Sequence, residues 1–156
     1  DAKEPILGKA LDLIVSGFEK QLHDGFKKRG YESAVCFFEF FGPSSFAGQH
    51  SPTDDHRVTL IDIAPFKVGI LPPKEFIDLC GHLCIPGVLY DGPVDESFAA
   101  SVRAGTLPGM TFEGVVCKHP ASNGKFTEMF KIESEAWLKR LKEHCGDDER
   151  RFEELK

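Results

Sequence analysis

The chain has 156 residues, 41% of them apolar, which is enough to fill one sizeable core, and it contains no apolar run of the ~18 residues that a membrane helix needs. Nineteen Lys and Arg against 25 Asp and Glu give a formal net charge of -6, which excludes a protein held to nucleic acid by bulk positive charge and leaves only a local basic groove. Five cysteines, Cys36, Cys80, Cys84, Cys117 and Cys145, are an odd number scattered through apolar segments, so reduced, buried thiols and a cytoplasmic location are expected rather than a disulfide framework. The chain opens on Asp1, and its first residues lack the basic-then-apolar order of a secretory leader, so no intact signal peptide is expected.

In chain order, Leu7, Leu11, Ile14, Val15, Phe18, Leu22 and Phe26 recur every three or four residues and predict an amphipathic helix over 6–28, stopped by Gly30. Residues 34–42 are short, aromatic and bounded by Gly30 and by Gly42-Pro43-Ser44-Ser45, which predicts a strand. A loop to about His56 leads into a second strand, Arg57 to Ile63. Pro72-Pro73 open a helix carrying Phe76, Ile77, Leu79, Cys80 and Leu83. Val88 to Tyr90 is expected as a short strand, and 94–104 as a helix with Phe98 and Val102 inward and Gly105 at its end.

Two apolar runs, Phe112 to Lys118 and Phe126 to Ile132, flank a polar segment whose Asn123-Gly124 step is a turn signal, and together they predict a hairpin. Ser134 then caps a last helix with Trp137, Leu138 and Leu141 inward and Lys139, Arg140, Lys142 and His144 toward its end. Residues 1–145 are read as one globular domain and 146–156 as a charged, frayed tail. The fold class predicted is α+β, with largely antiparallel sheets and flanking helices.

Charges inside the apolar strands carry the chemistry. Glu39 stands between two pairs of phenylalanines, and strand alternation puts Phe37, Glu39 and Phe41 on one face. A carboxylate there either grips the polar edge of a flat ligand or reaches water or an arginine at a strand edge. Asp62 and Glu113 repeat the pattern in their own strands, and Lys131 adds a lone cation across the predicted hairpin from Glu113. Acids and a lysine on adjoining strands suit a phosphate ester with a divalent metal, the lysine meeting the phosphate and a carboxylate holding the metal directly or through water. A structural salt bridge between Glu113 and Lys131 is the alternative.

The order of these segments resembles the covalent nucleotidyltransferase superfamily, and within it the phage-type ATP-dependent RNA ligases. Phe37-Phe38-Glu39-Phe40-Phe41-Gly42 resembles motif III of that family, and Arg57 to Ile63 with Asp62 resembles motif IIIa. Phe112-Glu113-Gly114-Val115-Val116-Cys117-Lys118 resembles motif IV, and Met129-Phe130-Lys131-Ile132-Glu133 resembles motif V. The stretch Ile85 to Pro93 is similar to the spacer of RNA ligase domains, so the likeness runs over about residues 6–141.

The resemblance implies a partial nucleotidyltransferase (ATP-grasp-like) domain that takes ATP, with AMP as the transferred group, and Mg2+. It implies Lys131 and Glu113 as catalytic residues, Lys131 on the α-phosphate and Glu113 beside phosphate and metal. It implies Glu39 on the ribose, and Gly42, Ile61, Asp62, Gly114 and Lys118 as further nucleotide-binding positions. In the family reaction a lysine of a Lys-x-Asp-Gly motif attacks the α-phosphate, AMP passes to a 5′-phosphate end, and a 3′-hydroxyl displaces it. The polynucleotide is RNA or, alternatively, DNA, and no membrane partner is implied.

Three departures stand beside the likeness. No Lys-x-Asp-Gly occurs in the sequence: Lys9-Ala10-Leu11-Asp12-Leu13 has no glycine and falls in the predicted first helix. The attacking lysine is therefore expected from an upstream segment or a partner chain, or is lost, which would leave an inactive nucleotide-binding or scaffold module. Glu133 stands where motif V commonly has a second lysine, and its charge repels a phosphate unless it turns away. Ile61 lies near the position where some relatives stack an aromatic ring on the base.

Other candidates carry less. Cys80-Gly81-His82-Leu83-Cys84 falls on a predicted apolar helix without a second ligand pair, so core cysteines are expected there instead of zinc ligands. The remaining histidines show no paired spacing, and no nucleophile elbow or phosphate-binding glycine loop is present. Phe46 to Asp55 is polar, either a loop over the cleft or a plain surface loop.

Overall fold

The computed structural model describes residues 5–43, 51, 53–122 and 127–156. The first predicted helix forms in three consecutive pieces: α1 (Pro5–Ile14), a π-helical turn (Val15–Glu19) and α2 (Lys20–Arg29). The wider π turn advances the helix face by one residue. Leu13 and Ile14 therefore pack inward before it and Phe18, Leu22 and Phe26 after it, while Leu11 and Val15, expected inward, are about half exposed. Gly30 ends α2 in the left-handed region at φ 70°, its N–H and that of Tyr31 closing on the Phe26 carbonyl.

Strands β1 (Ala34–Phe41) and β2 (Arg57–Pro65) pair antiparallel. Ala34, Cys36, Phe38 and Phe40 turn toward the core, with Phe38 edge-on to Phe18 at 5.1 Å. Val35, Phe37 and Glu39 face out. Across from them the register is broken: Phe37 pairs with Asp62 and Phe38 with Leu60, so Ile61 is an extra residue. This bulge switches the buried positions of β2 from Val58 and Leu60 to Ile63 and Pro65, and leaves Ile61 and Asp62 half-buried in succession. Helix α3 (Pro73–Cys80), opened by Pro73 as predicted, adds Phe76 and Cys80 to the same core.

After α3, 81–95 holds no strand. The strand expected at Val88 to Tyr90 does not form, because Pro86-Gly87 and Gly92-Pro93 leave too short a run to pair, and all three residues are exposed. Asp95 caps α4 (Glu96–Arg103) by accepting from the Phe98 N–H, and Phe98 and Val102 are buried as predicted. The hairpin follows as β3 (Gly114–Ser122) and β4 (Thr127–Glu133), a second antiparallel pair. Strand β3 starts two residues later than expected, with Phe112 and Glu113 in a bend, and continues through Pro120. The predicted Asn123-Gly124 turn and most of the 46–55 loop lie outside the described residues.

Ser134 caps α5 (Glu135–Cys145) from the Trp137 N–H, as expected, with Trp137 and Leu141 buried. The tail is not frayed. Asp148 accepts from the Arg151 N–H and starts α6 (Glu149–Leu155), where Phe152 lies under the Lys142 ammonium at 5.1 Å.

The fold class is α+β with antiparallel strand pairs, as predicted. The single expected core is replaced by two compact units. One gathers α1 through Gly87 together with Lys118–Glu128, and its core includes Phe18, Leu60, Ile63, Leu71 and Phe76. The other gathers Val88–Cys117 and Met129–Lys156, and buries Phe98, Val102, Trp137 and Leu141. Among the described residues no helix is long and apolar enough to cross a membrane.

Candidate functional site

In the second unit, Glu113 and Lys131 meet. Lys131 Nζ lies 2.5 Å from Glu113 Oε1 and 3.0 Å from Glu133 Oε1, so one ammonium is shared by two carboxylates. Strand alternation accounts for half of this, because residues 131 and 133 of β4 point to the same side. The other half is built by the chain before β3. The Ser134 N–H donates to the Glu113 carbonyl at 2.9 Å, and the Ser134 hydroxyl donates to the Phe112 carbonyl at 2.6 Å. Thr111 Oγ1 donates to the Gly114 carbonyl at 2.9 Å. Three bonds thus fix the backbone on both sides of the Glu113 side chain.

Gly114 is required by the approach of the strands. It sits at φ 144°, and a Cβ there would stand 2.1 Å from the Ile132 carbonyl oxygen and 2.9 Å from the Glu133 Cα. Glu133, the departure from the motif V pattern, is turned inward: its side chain is 10% exposed, and the Trp137 indole N–H donates to Oε1 at 3.1 Å. Trp137 is itself buried and meets Phe112 edge-on. Partial burial pulls the Lys131 pKa down, but the hydrogen bonds and charges of Glu113 and Glu133 outweigh it, so the ammonium stays protonated above the ordinary lysine range.

The first unit places the other predicted residues. Asp62, on the bulge, pairs with Lys118: Nζ lies 2.5 Å from Oδ1 and 3.4 Å from the Ile61 carbonyl, and both side chains are largely buried. Glu39 stands on the outer face of the β1–β2 sheet beside the exposed Phe37, opposite Thr59, and makes no hydrogen bond or ion pair among the described residues. Its carboxylate is left to solvent or to a ligand. Arg57 lies over Phe41 on that face, 4.4 Å from the ring centroid.

Gly42 is buried at φ 141°, where a Cβ would stand 3.0 Å from the His56 Cα, so its place is set by packing against the chain that enters β2. His56 stacks on Phe40 at 5.1 Å. It receives the Lys9 ammonium on Nδ1 and donates from Nε2 to the Pro43 carbonyl, each at 3.0 Å, which fits the Nε2–H tautomer.

The sequence pairs Glu113 with Lys131, and the structure brings them together. It does not single out Ser134 and Trp137 beyond cap and core, nor the Lys118–Asp62 pair. Serine at a helix start directly after a strand was the one signal for the first. No local pattern joins residues 62 and 118. At Cys80 to Cys84 the helix ends at Cys80, whose thiol is buried, while His82 and Cys84 are exposed, so Cys84 departs from the expected burial. Burial, with a smaller contribution from Cys36, pushes the Cys80 thiol up to about 11.

Comparisons with family models, curated proteins and solved structures returned no match to this chain.

Proposed function

We propose that the chain is the nucleotide-binding portion of an ATP-dependent RNA-ligase-like nucleotidyltransferase, which seals nucleic-acid ends through an AMP intermediate. The observation that carries this reading is the Glu113–Lys131 pair, a carboxylate and an ammonium in contact at the base of one hairpin, fixed from behind by Ser134 and Thr111. The order of the four motifs supports the reaction class, and the pair supports Lys131 as a phosphate contact. By the resemblance, Lys131 is assigned to the α-phosphate and Glu39 to the ribose hydroxyls.

Glu113, the more exposed of the two carboxylates on Lys131, offers the hard oxygen donors that Mg2+ takes. Among the described residues no group of three or more His, Cys, Asp or Glu side chains gathers around one point. The donors therefore fit an ion that arrives with the nucleotide's phosphates, held by Glu113, and not a closed protein cage. When bound, such an ion spreads the charge that develops on the phosphate. The attacking lysine would come from outside this sequence, and RNA ends, or DNA ends, would accept the AMP.

A second reading, an inactive nucleotide-binding or scaffold module, is favoured by the sequence's lack of Lys-x-Asp-Gly and by Lys9, which lies on α1 with its ammonium on His56. Calorimetric titration with ATP and Mg2+ tests what both share. Native protein is expected to bind, and Lys131→Ala and Glu39→Ala each to weaken binding by about tenfold or more. A folded native chain that binds no ATP, or binding by both variants equal to that of the native chain, sinks the nucleotide reading. With α-labelled ATP the chain alone is expected to remain unlabelled after denaturation, and acid-labile label would place a nucleophile within it.

A further inference from the structure

Lys131 is the cation that the proposed function assigns to phosphate, yet two carboxylates already hold it. One ammonium and the carboxylates of Glu113 and Glu133 sum to a charge of -1 within contacts of 2.5 and 3.0 Å. The two acids are not equivalent. Glu113 is 29% exposed, whereas Glu133 is 10% exposed and anchored by the indole N–H of Trp137. A ligand anion approaching Lys131 therefore meets a carboxylate that is fixed in place and already occupies one of the three ammonium donors.

We propose that Glu133 is the specificity-determining residue of this site: held by Trp137, it competes with the ligand's phosphate for Lys131 and sets how much negative charge the site tolerates. The inference rests on the reading of Lys131 as the phosphate contact. Because the competition is between two anions for one cation, it follows the ligand's charge. Free triphosphate is disfavoured, and a phosphate whose charge a divalent cation has reduced is accepted. Glu133 acts through Lys131 and touches no reacting atom.

The test is titration calorimetry with ATP, in the presence and absence of Mg2+ at fixed ionic strength, on the whole chain and on Glu133→Gln, each repeated in a Lys131→Met background. Glutamine keeps an oxygen that accepts from the Trp137 indole, so the packing is retained. Glu133→Gln is expected to bind ATP on the order of tenfold more tightly than the native chain, with a smaller difference between the Mg2+ and Mg2+-free affinities. In the Lys131→Met background the gain is expected to vanish, which a general effect of surface charge or packing would not produce. Trp137→Phe, which removes the anchor and leaves the carboxylate, is expected to give an intermediate gain. An affinity for Glu133→Gln equal to or below native overturns the proposal, as does the same gain with Lys131 replaced, or a loss in Trp137→Phe with native circular dichroism. If the native chain and Glu133→Gln both fail to bind ATP, the assignment of Lys131 to phosphate falls, and this inference with it.

Discussion

Lys118 and Asp62, 56 residues apart in the chain, form the best-buried ion pair among the described residues, at 2.5 Å with side chains 21% and 14% exposed. The pair ties the end of β3 in the first unit to the bulge of β2. Breaking it from one side leaves a charge in a half-buried place, so the loss exceeds what an exposed pair would give. Lys118→Met is expected to destabilise the protein by about 2 kcal/mol, and the double change with Asp62→Asn by less than Lys118→Met alone, since neither charge is then orphaned. Urea unfolding of the native protein and the two variants measures both. A Lys118→Met variant within about 0.5 kcal/mol of native would show that the pair contributes no more than a surface contact.

Gly114 separates backbone necessity from chemistry at the candidate site. Its φ of 144° is strained for any residue with a side chain, and a Cβ would collide with backbone atoms of Ile132 and Glu133. Gly114→Ala is expected to lower stability by about 3 kcal/mol or more and to part Glu113 from Lys131. Gly42→Ala, whose nearest contact would be 3.0 Å, is expected to lose less. Thermal melts rank the two. An alanine at 114 with a native melting temperature would contradict the close approach of the strands.

The sequence patterns reveal the elements better than their faces. Caps and stops at Gly30, Pro73 and Ser134 depend on neighbours within a few residues, and the structure places each where the pattern does. On the first helix Ile14, Phe18, Leu22 and Phe26 face the core as the pattern has them, and only Leu11 and Val15, beside the π turn that periodicity does not see, are misread. The Ile61 bulge is hidden for the same reason: it inserts one residue into an alternation that otherwise looks unbroken. At the candidate site, Glu113 and Lys131 are legible because a hairpin makes distant residues local. Lys118 and Asp62 are joined only by tertiary structure, and the Trp137 bond to Glu133 crosses from a strand to the next helix.

The thiols differ in exposure, and so in access to a reagent. Cys80 is fully buried with its pKa raised to about 11 by desolvation and, to a lesser degree, by Cys36, and burial also raises Cys36 and Cys117. Cys84, exposed just past the end of α3, is expected to react first with a disulfide reagent near pH 8, with Cys80 silent until the protein unfolds. Mass spectrometry of the partly labelled chain identifies the site. Early labelling of Cys80 at a rate matching Cys84 would mean that the first unit's core opens readily.

Lys131 gives the fold a dependence on alkaline pH with a definite sign. Burial lowers its pKa, the two carboxylates raise it more, and the net position is above the ordinary 10.5. The folded state therefore holds this proton more tightly than the unfolded chain. The resulting stabilisation is complete below about pH 10.5 and is lost as pH rises through the folded-state value. Native protein and Lys131→Met are expected to differ by a constant stability up to about pH 10 and to converge above it. The variant also leaves Glu113 and Glu133 facing each other with no cation between them, so its deficit at neutral pH is expected to shrink in high salt, which screens their repulsion. Urea titrations at stepped pH, with and without salt, record both effects. A stability gap that widens with rising pH would mean that Lys131 is neutral in the folded protein, and that the two carboxylates are held apart by something other than its charge.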